Sequence, residues 1–583
     1  MDRRIFEENL LALCTGETRI NTRLFYRDSS SHYDFLKSRS GEIVPALLLR
    51  SSDTQPLHSM IDPVREAQRL VSTIPQDTGF IIFLGLGGGF APEAALLRNG
   101  HHGFSRVVVI DFDKDGIAEL LSSRDYTKLF GDSRFSLYVD PCDDEIKKII
   151  GEQYKPALHG GIKIIPLRTR TEATLSIFEK TVKAIEDAIE SAASDYSVQA
   201  HFGIRWFSNI IRNLRFGETV TDNFSKIKNA FPIHEAAIIA AGPSLDQQIT
   251  SIAEYKARQV FIICSDTALP VLLNHGIEPD AVVSIDCQHI SCYHFMGCNL
   301  RRNIPLFLGL ASPPLLCGFS TSPFFFCSGH PLELYISQYW RPLPKLDTSG
   351  GNVTYACLSL AEKLNAQRVT FFGADFSYIG SRTYARGTYI YPFFEKKQNR
   401  LSPLEALFSA FLYRSPFLPP ETDSEKSGQG QTHYETSSLR FYRKKIEEKA
   451  SLMNAQIFAE KGQGVTIDFT HKMTHNGGNK NQVLWEECDF FSTGSAKMSA
   501  IEFLESYRDD IAALPDIRET KNYSSVLSLK NRQALTTLLP FAAAVKHRNP
   551  ALKTGDLIEE AKRLCIEEIT RVCCANPKTS GAF

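Results

Sequence analysis

The stretch Glu235-Ala-Ala-Ile-Ile-Ala-Ala-Gly242-Pro243-Ser244-Leu245-Asp246 leads an apolar strand into a glycine turn and then into a helix. Two further segments, Val260-Phe-Ile-Ile-Cys-Ser265-Asp266 and Asp280-Ala-Val-Val-Ser-Ile-Asp286, repeat the design. Each apolar run ends in a small or acidic polar residue, which describes the ligand-facing edge of a parallel sheet. Gly242 removes a side chain where backbone meets a ligand, and Ser244 is suited to N-cap the helix behind it. The uncapped N–H groups of that helix start predict an anion site. Gly242, Pro243, Ser244 and Leu245 are therefore assigned to a nucleotide phosphate.

At 583 residues the chain exceeds what one core organises, and about three or four domains are expected. Apolar residues make up 43% and charged residues 22%, the balance of a soluble globular protein. A net charge of -1 supplies no global field for nucleic acid or a membrane surface. No apolar stretch reaches the roughly 20 residues of a spanning helix, and Met1-Asp-Arg-Arg-Ile-Phe-Glu-Glu-Asn carries no signal-peptide core. A cytoplasmic location without membrane insertion is expected. The 13 cysteines include no C-x-x-C pair, so reduced thiols are expected rather than a zinc site.

In the N-terminal third, Gly79-Phe-Ile-Ile-Phe-Leu-Gly85-Leu-Gly87-Gly88-Gly89-Phe90 feeds a strand into a glycine-rich turn. A second strand, Arg106-Val-Val-Val-Ile-Asp111-Phe-Asp113, ends in acid some twenty positions later, the Rossmann-type arrangement. Taken alone it suggests NAD or S-adenosylmethionine, with Asp111 or Asp113 on the ribose hydroxyls. No cluster of acid, base or nucleophile follows before residue 200, so a scaffold role stays open. From Glu172 to Asn223 the apolar residues Leu175, Phe178, Val182, Ile185 and Ile189 recur at helical steps.

The longest patterned stretch is Asp347-Thr348-Ser349-Gly350-Gly351-Asn352, a polar turn opening a helix, followed by Arg368-Val-Thr-Phe-Phe-Gly373-Ala-Asp375-Phe376-Ser-Tyr378. The second strand brings Gly373, Asp375 and Tyr378 to the same edge as Gly242, Asp266 and Asp286. Four strand ends carrying polar groups to one side make a binding crevice.

The order of these motifs resembles the motility-associated factor (Maf) flagellin glycosyltransferases, over roughly residues 230–445. That core is in turn similar to the bacterial sialyltransferases of glycosyltransferase family 42, and to archaeal pterin diphosphokinases that share the Gly-Pro-Ser-Leu turn. The resemblance implies a CMP-activated nonulosonic acid (pseudaminic, legionaminic or sialic in type) as donor, flagellin Ser or Thr hydroxyls as acceptor, and no required metal or other cofactor. It implies that Tyr378 and Tyr384 donate hydrogen bonds to the departing CMP. Arg382 and Arg386 would grip a carboxylate or phosphate. His433 would be the base for the acceptor, with Asp375, Asp286 and Asp266 as fallback bases. Thr348, Ser349, Gly350, Gly351 and Asn352 would contact the donor, together with Ser265, Asp266, Asp286, Gln288 and Gly373. Residues 379–435 are expected to form a mobile lid.

The expected organisation is multidomain α/β. An N-terminal Rossmann-like domain spans 1–165, a helical connector 166–229, a central Rossmann-like (GT-A-variant) parallel sheet 230–445, and a helical C-terminal domain 446–583. Helices are expected at 439–460, 500–513, 526–544 and 556–574. His471 and His475 sit four apart in a glycine-bearing loop, which argues against a metal pair. The alternatives are a pterin-type diphosphokinase, a non-catalytic flagellin-binding protein, and a methyltransferase using the N-terminal glycine turn. The sequence does not fix the oligomeric state.

Overall fold

The computed structural model describes residues 3–15, 31–48, 53–98, 106–217, 233–298, 304–320, 323–380, 382–418, 433–469, 496–518 and 527–575. The chain divides into two compact units, Met1–Ile204 with Arg508–Glu567, and Arg205–Tyr507 with Glu568–Phe583. This differs from the four segments expected above. The helix Leu175–Gly217 is continuous through the expected connector, and its residues are shared between the two units at Ile204 and Arg205. The C-terminal helix Leu529–Arg548 belongs to the first unit, where a side chain on Gly203 would overlap the Pro540 carbonyl. Close packing of that kind, invisible in the helical periodicity, joins a late segment to an early one.

In the first unit, β1 (Tyr33–Lys37), β2 (Ile43–Leu48) and β3 (Thr54–Pro56) form an antiparallel meander. The strands β4 (Phe80–Leu84), β5 (Arg106–Asp111), β6 (Phe135–Val139) and β7 (Ile162–Pro166) form a parallel sheet in the order β6-β5-β4-β7. Side chains of β4 alternate between two cores. Ile81 and Phe83 join one cluster, and Phe80, Ile82 and Leu84 join the other. Burial on both faces explains why the strand is apolar throughout.

The second unit holds a parallel sheet of seven strands: β8 (Glu235–Ile239), β9 (Phe261–Ser265), β10 (Ala281–Ser284), β11 (Leu306–Gly309), β12 (Pro323–Phe326), β13 (Arg368–Phe372) and β17 (Gln456–Ala459). Their order is β12-β11-β10-β9-β8-β13-β17. The helix expected at 439–460 is Ser437–Leu452, and its expected tail is the edge strand β17, which pairs with β13. A small antiparallel sheet, β14 (Tyr378–Ile379), β15 (Phe417–Leu418) and β16 (His433–Thr436), stands in the order β14-β16-β15.

Ile238, Ile263, Val283, Phe307 and Phe371 carry the core beneath the large sheet and are essentially inaccessible. Each such side chain contributes about 1.5–3 kcal/mol by leaving water. From β8 the chain winds outward to β12, then returns to place β13 and β17 on the other side of β8. The order therefore reverses between β8 and β13, and in sheets of this class the crevice opens beyond the carboxyl ends of the strands at that point.

Candidate functional site

Gly242 and Gly373 face each other across the reversal. The Gly242 N–H donates to the Gly373 carbonyl at 2.8 Å, and a side chain on Gly242 would overlap that carbonyl and the Asp375 carboxylate. Gly373 has φ +62°, and its own N–H donates to Gln248 Oε1 at 2.7 Å. Asp375 reaches back so that Oδ2 accepts the Ser244 N–H at 2.8 Å. It is 4% exposed; burial lifts its carboxyl, and the Ser244 hydrogen bonds work against the rise.

Ser244 does not cap the helix Leu245–Ala257 with its side chain; it is itself αR, and its Oγ accepts the Gln463 N–H at 2.8 Å. Asp246 on the same turn accepts Arg382 Nη1 at 2.7 Å and the Arg386 N–H at 2.8 Å. The anion expected at the helix start is thus supplied from within, by Asp375. The turn fastens two chain segments, 382–386 and 462–465, in place.

The strands β9 and β10 deliver Asp266 and Asp286. Asp266 is buried, with Oδ2 accepting Ser284 Oγ at 2.6 Å and Oδ1 the Thr267 N–H at 2.7 Å. Asp286 is half-buried, and its Oδ1 accepts the Gln288 N–H at 2.9 Å. Burial raises the Asp286 carboxyl, the Gln288 hydrogen bond opposes this, and the negative Asp266 raises it further.

Four phenols gather here, three of them within reach of these acids. Tyr378 lies on β14, Tyr384 and Tyr389 follow in the same segment with rings 6.2 Å apart, and Tyr442 comes from the helix Ser437–Leu452. The charge of Asp266 reaches Tyr384 and Tyr389, and that of Asp286 reaches Tyr389 and Tyr442. Burial raises all four phenols, so each stays protonated and able to donate at neutral pH. Arg414, stacked 4.0 Å over the Phe411 ring, opposes that rise at Tyr378, Tyr384 and Tyr389. Phenols and a guanidinium together suit a group that gains negative charge as it departs.

The turn at Thr348–Gly351 stands beside Tyr442. Gly351 has φ +72°, and a side chain there would come 3.3 Å from the Tyr442 ring. Ser349 and Gly351 are exposed, while Gly350 is buried against the Tyr355 ring. Asn352 caps the helix Val353–Lys363, accepting the Tyr355 N–H at 2.9 Å. Asp347 receives Tyr355 Oη at 2.7 Å, the Ser349 N–H at 3.0 Å and Lys449 Nζ at 3.3 Å. Burial would raise its carboxyl, but those hydrogen bonds and the Lys449 charge outweigh it and hold it at about 2.

Residues 208–381 match the family model described as MptE-like, 6-hydroxymethylpterin diphosphokinase MptE-like. The structure of the Maf glycosyltransferase from Magnetospirillum magneticum AMB-1 superposes with a TM-score of 0.55 at 13% identity, over 98% of this chain and 95% of that one. This chain has the Maf glycosyltransferase fold. It belongs to one family with an uncharacterised protein of Treponema pallidum (strain Nichols), 33% identical over 160 residues, which are 26% of this chain and 74% of the relative. A second uncharacterised Treponema pallidum protein is 38% identical over 120 residues, 21% of this chain and 40% of the relative.

Within the Maf fold the residues read from sequence fall into two groups. Tyr378, Tyr384, Asp266, Asp286 and Gln288 come together at the crevice, with Thr348, Ser349 and Gly351 alongside Tyr442. Gly242, Pro243, Ser244, Leu245, Gly373, Asp375 and Arg382 are engaged in building its wall. Asp375 is sealed by the Ser244 amide and by Gly464, so it is not placed to serve as a base. Arg382 spends its guanidinium on Asp246 instead of a ligand, and Asn352 is a helix cap. Ser265 Oγ is buried with no hydrogen-bond partner.

His433 pairs with Ile379 in β16 while Tyr434 pairs with Tyr378. Side chains alternate along a strand, so His433 projects from the face opposite Tyr378. The lid expected at 379–435 lies partly outside the described residues, at 381 and 419–432, and His471 and His475 lie outside them too. Sequence reasoning did not single out Tyr389, Tyr442 or Arg414. Tyr389 stands only eleven residues past Tyr378, a usable signal, whereas a phenol on an ordinary helix and a guanidinium in the turn after another carried none.

In the first unit the glycine-rich turn is filled by the chain's own groups. Asp111 Oδ2 accepts the Leu86 N–H at 2.7 Å, His58 Nε2 accepts the Gly88 N–H at 2.9 Å, and Tyr126 Oη donates to the Gly87 carbonyl at 3.1 Å. Asp113 takes the Gly116 N–H at 2.9 Å and His32 Nδ1 at 3.1 Å, with Arg170 at 3.7 Å. Burial, seconded by the Arg124 charge, lowers the His58 imidazole to about 4, which keeps it a neutral acceptor. The groups expected on a nucleotide's ribose are committed inside the protein, which favours the scaffold reading.

Proposed function

We propose that this chain is a glycosyltransferase moving a nonulosonic acid from a CMP-activated donor to Ser or Thr hydroxyls of flagellin, in the cytoplasm and without a divalent metal. The observation that carries the proposal is the cluster of protonated phenols, Tyr378, Tyr384, Tyr389 and Tyr442, beside Asp266 and Asp286 in a Maf fold. The leaving group is a phosphate monoester, already a good anion. Hydrogen bonds from Tyr378 and Tyr384 stabilise the charge it gains, a task that needs no ion. The hydroxyls of Thr348 and Ser349 receive the donor's phosphate or carboxylate, and Gln288 with the accessible edge of Asp286 reads its hydroxyls. Of the three acids considered as bases, Asp286 alone is only half-buried.

Incubation of the purified chain with CMP-pseudaminic acid and flagellin in excess EDTA tests this. Release of CMP supports the proposal, and an inert mixture counts against it. The match of residues 208–381 to a pterin diphosphokinase model favours one other reading. Diphosphate transfer from ATP to 6-hydroxymethylpterin would require magnesium, so magnesium-dependent AMP formation would replace the glycosyl-transfer proposal.

A further inference from the structure

The crevice contains one more titratable group that no motif pointed to. His294 ends the 3-10 turn His289–His294, which follows Asp286 out of β10. Its ring meets the Tyr389 ring edge-on at 4.6 Å and is 7% exposed. Its Nδ1 is closed off from solvent and has no hydrogen-bond partner. A buried polar atom without a partner costs stability and calls for an explanation, and a catalytic role is one. The Asp286 carboxylate interacts electrostatically with this imidazole. The base expected from sequence, His433, projects from the other face of β14 and β16.

We propose that His294 accepts the proton of the acceptor hydroxyl, with Asp286 stabilising the imidazolium that results. The inference deepens the glycosyl-transfer reading and rests on it. With the proton on Nδ1, the Nε2 lone pair takes the hydroxyl proton. The acceptor oxygen bonds to the anomeric carbon, and the bond from that carbon to the phosphate oxygen breaks. The electron pair leaves on CMP, beside the phenols. The imidazolium then releases its proton to solvent. Besides Asp286, the charged or titratable groups around the imidazole are Tyr389 and, through it, Asp266 and Arg414, with Cys298 donating to the His294 carbonyl and His289 on the same turn.

The test is the pH dependence of CMP release from CMP-pseudaminic acid in the presence of flagellin, for the parent chain, His294→Gln, His433→Gln and the exposed control His289→Gln. The parent should lose activity on the acid side through a limb between pH 5 and 8. His294→Gln should slow release by about 100-fold or more and abolish that limb, with the donor KM little changed. His289→Gln should match the parent. A limb that survives in His294→Gln, or vanishes in His433→Gln instead, overturns the inference while leaving glycosyl transfer standing. A parent that releases no CMP defeats the functional reading itself. A double variant tests the pairing: Asp286→Asn alone should slow release as well, and adding it to His294→Gln should cost little more, because the two act on one proton transfer. Losses that multiply in the double variant overturn the pairing.

Discussion

Asp375 presents its carboxylate to the Ser244 amide across two adjacent strands, and each residue is nearly inaccessible. Replacing Asp375 by Ala leaves a buried N–H unpaired, which costs about 1–3 kcal/mol; Asp375→Asn keeps an acceptor and should lose less. Urea denaturation should rank the three proteins in that order, and equal midpoints would show the contact to be idle. Under the proposed function the phenols act on chemistry instead. Tyr378→Phe or Tyr384→Phe should slow transfer by up to about 100-fold with donor KM nearly unchanged, because each removes a donor that matters most as charge develops. Steady-state kinetics that show full turnover in both variants would remove the phenols from the mechanism.

At the scale of elements, the helix Pro331–Tyr339 after β12 buries Glu333 completely, with Ser328 N–H and Oγ on its Oε2 at 2.6 and 2.7 Å. Burial raises this carboxyl from 4.5 to about 7, more than those hydrogen bonds lower it. The folded value lies above the unfolded one, so the stability Glu333 contributes is complete below about pH 4.5 and is lost as pH rises to about 7. The loss is on the order of 3 kcal/mol. Glu333→Gln keeps the acceptor for Ser328 and should flatten stability across that interval in thermal melts from pH 4.5 to 7; an unaltered pH dependence would assign it to other groups.

The elements legible in sequence were those with long apolar runs. The strands β4, β5, β8, β9, β10 and β13 declared themselves by burial on both faces. The strand β17, only Gln456–Ala459 at the sheet edge, was lost in a helical pattern. The two-residue strands β14 and β15 are too short to show any period. At the site, Asp286 and Tyr378 were named because they close apolar strands, and Tyr384 through the resemblance alone; the structure gathers all three at the crevice. Asp375 and Arg382 were given to a ligand because sequence does not reveal that Ser244 and Asp246 already occupy them.

On the scale of the whole molecule, two units divide the work. The first presents a nucleotide-type glycine turn whose amides and acids are satisfied by His58, Asp111 and Arg170. Saturating S-adenosylmethionine or NAD should therefore leave the melting temperature of the full chain unmoved, while CMP should raise it by binding the folded state alone. A shift with S-adenosylmethionine would reopen the first unit as a ligand site. The second unit carries the seven-stranded sheet and the crevice, where glycosyl transfer is proposed. Flagellin incubated with the purified chain and CMP-pseudaminic acid, then weighed intact by mass spectrometry, tests it most directly. Mass gains in whole multiples of one nonulosonic acid residue are expected; flagellin of unchanged mass, with the donor intact, would refute glycosyl transfer.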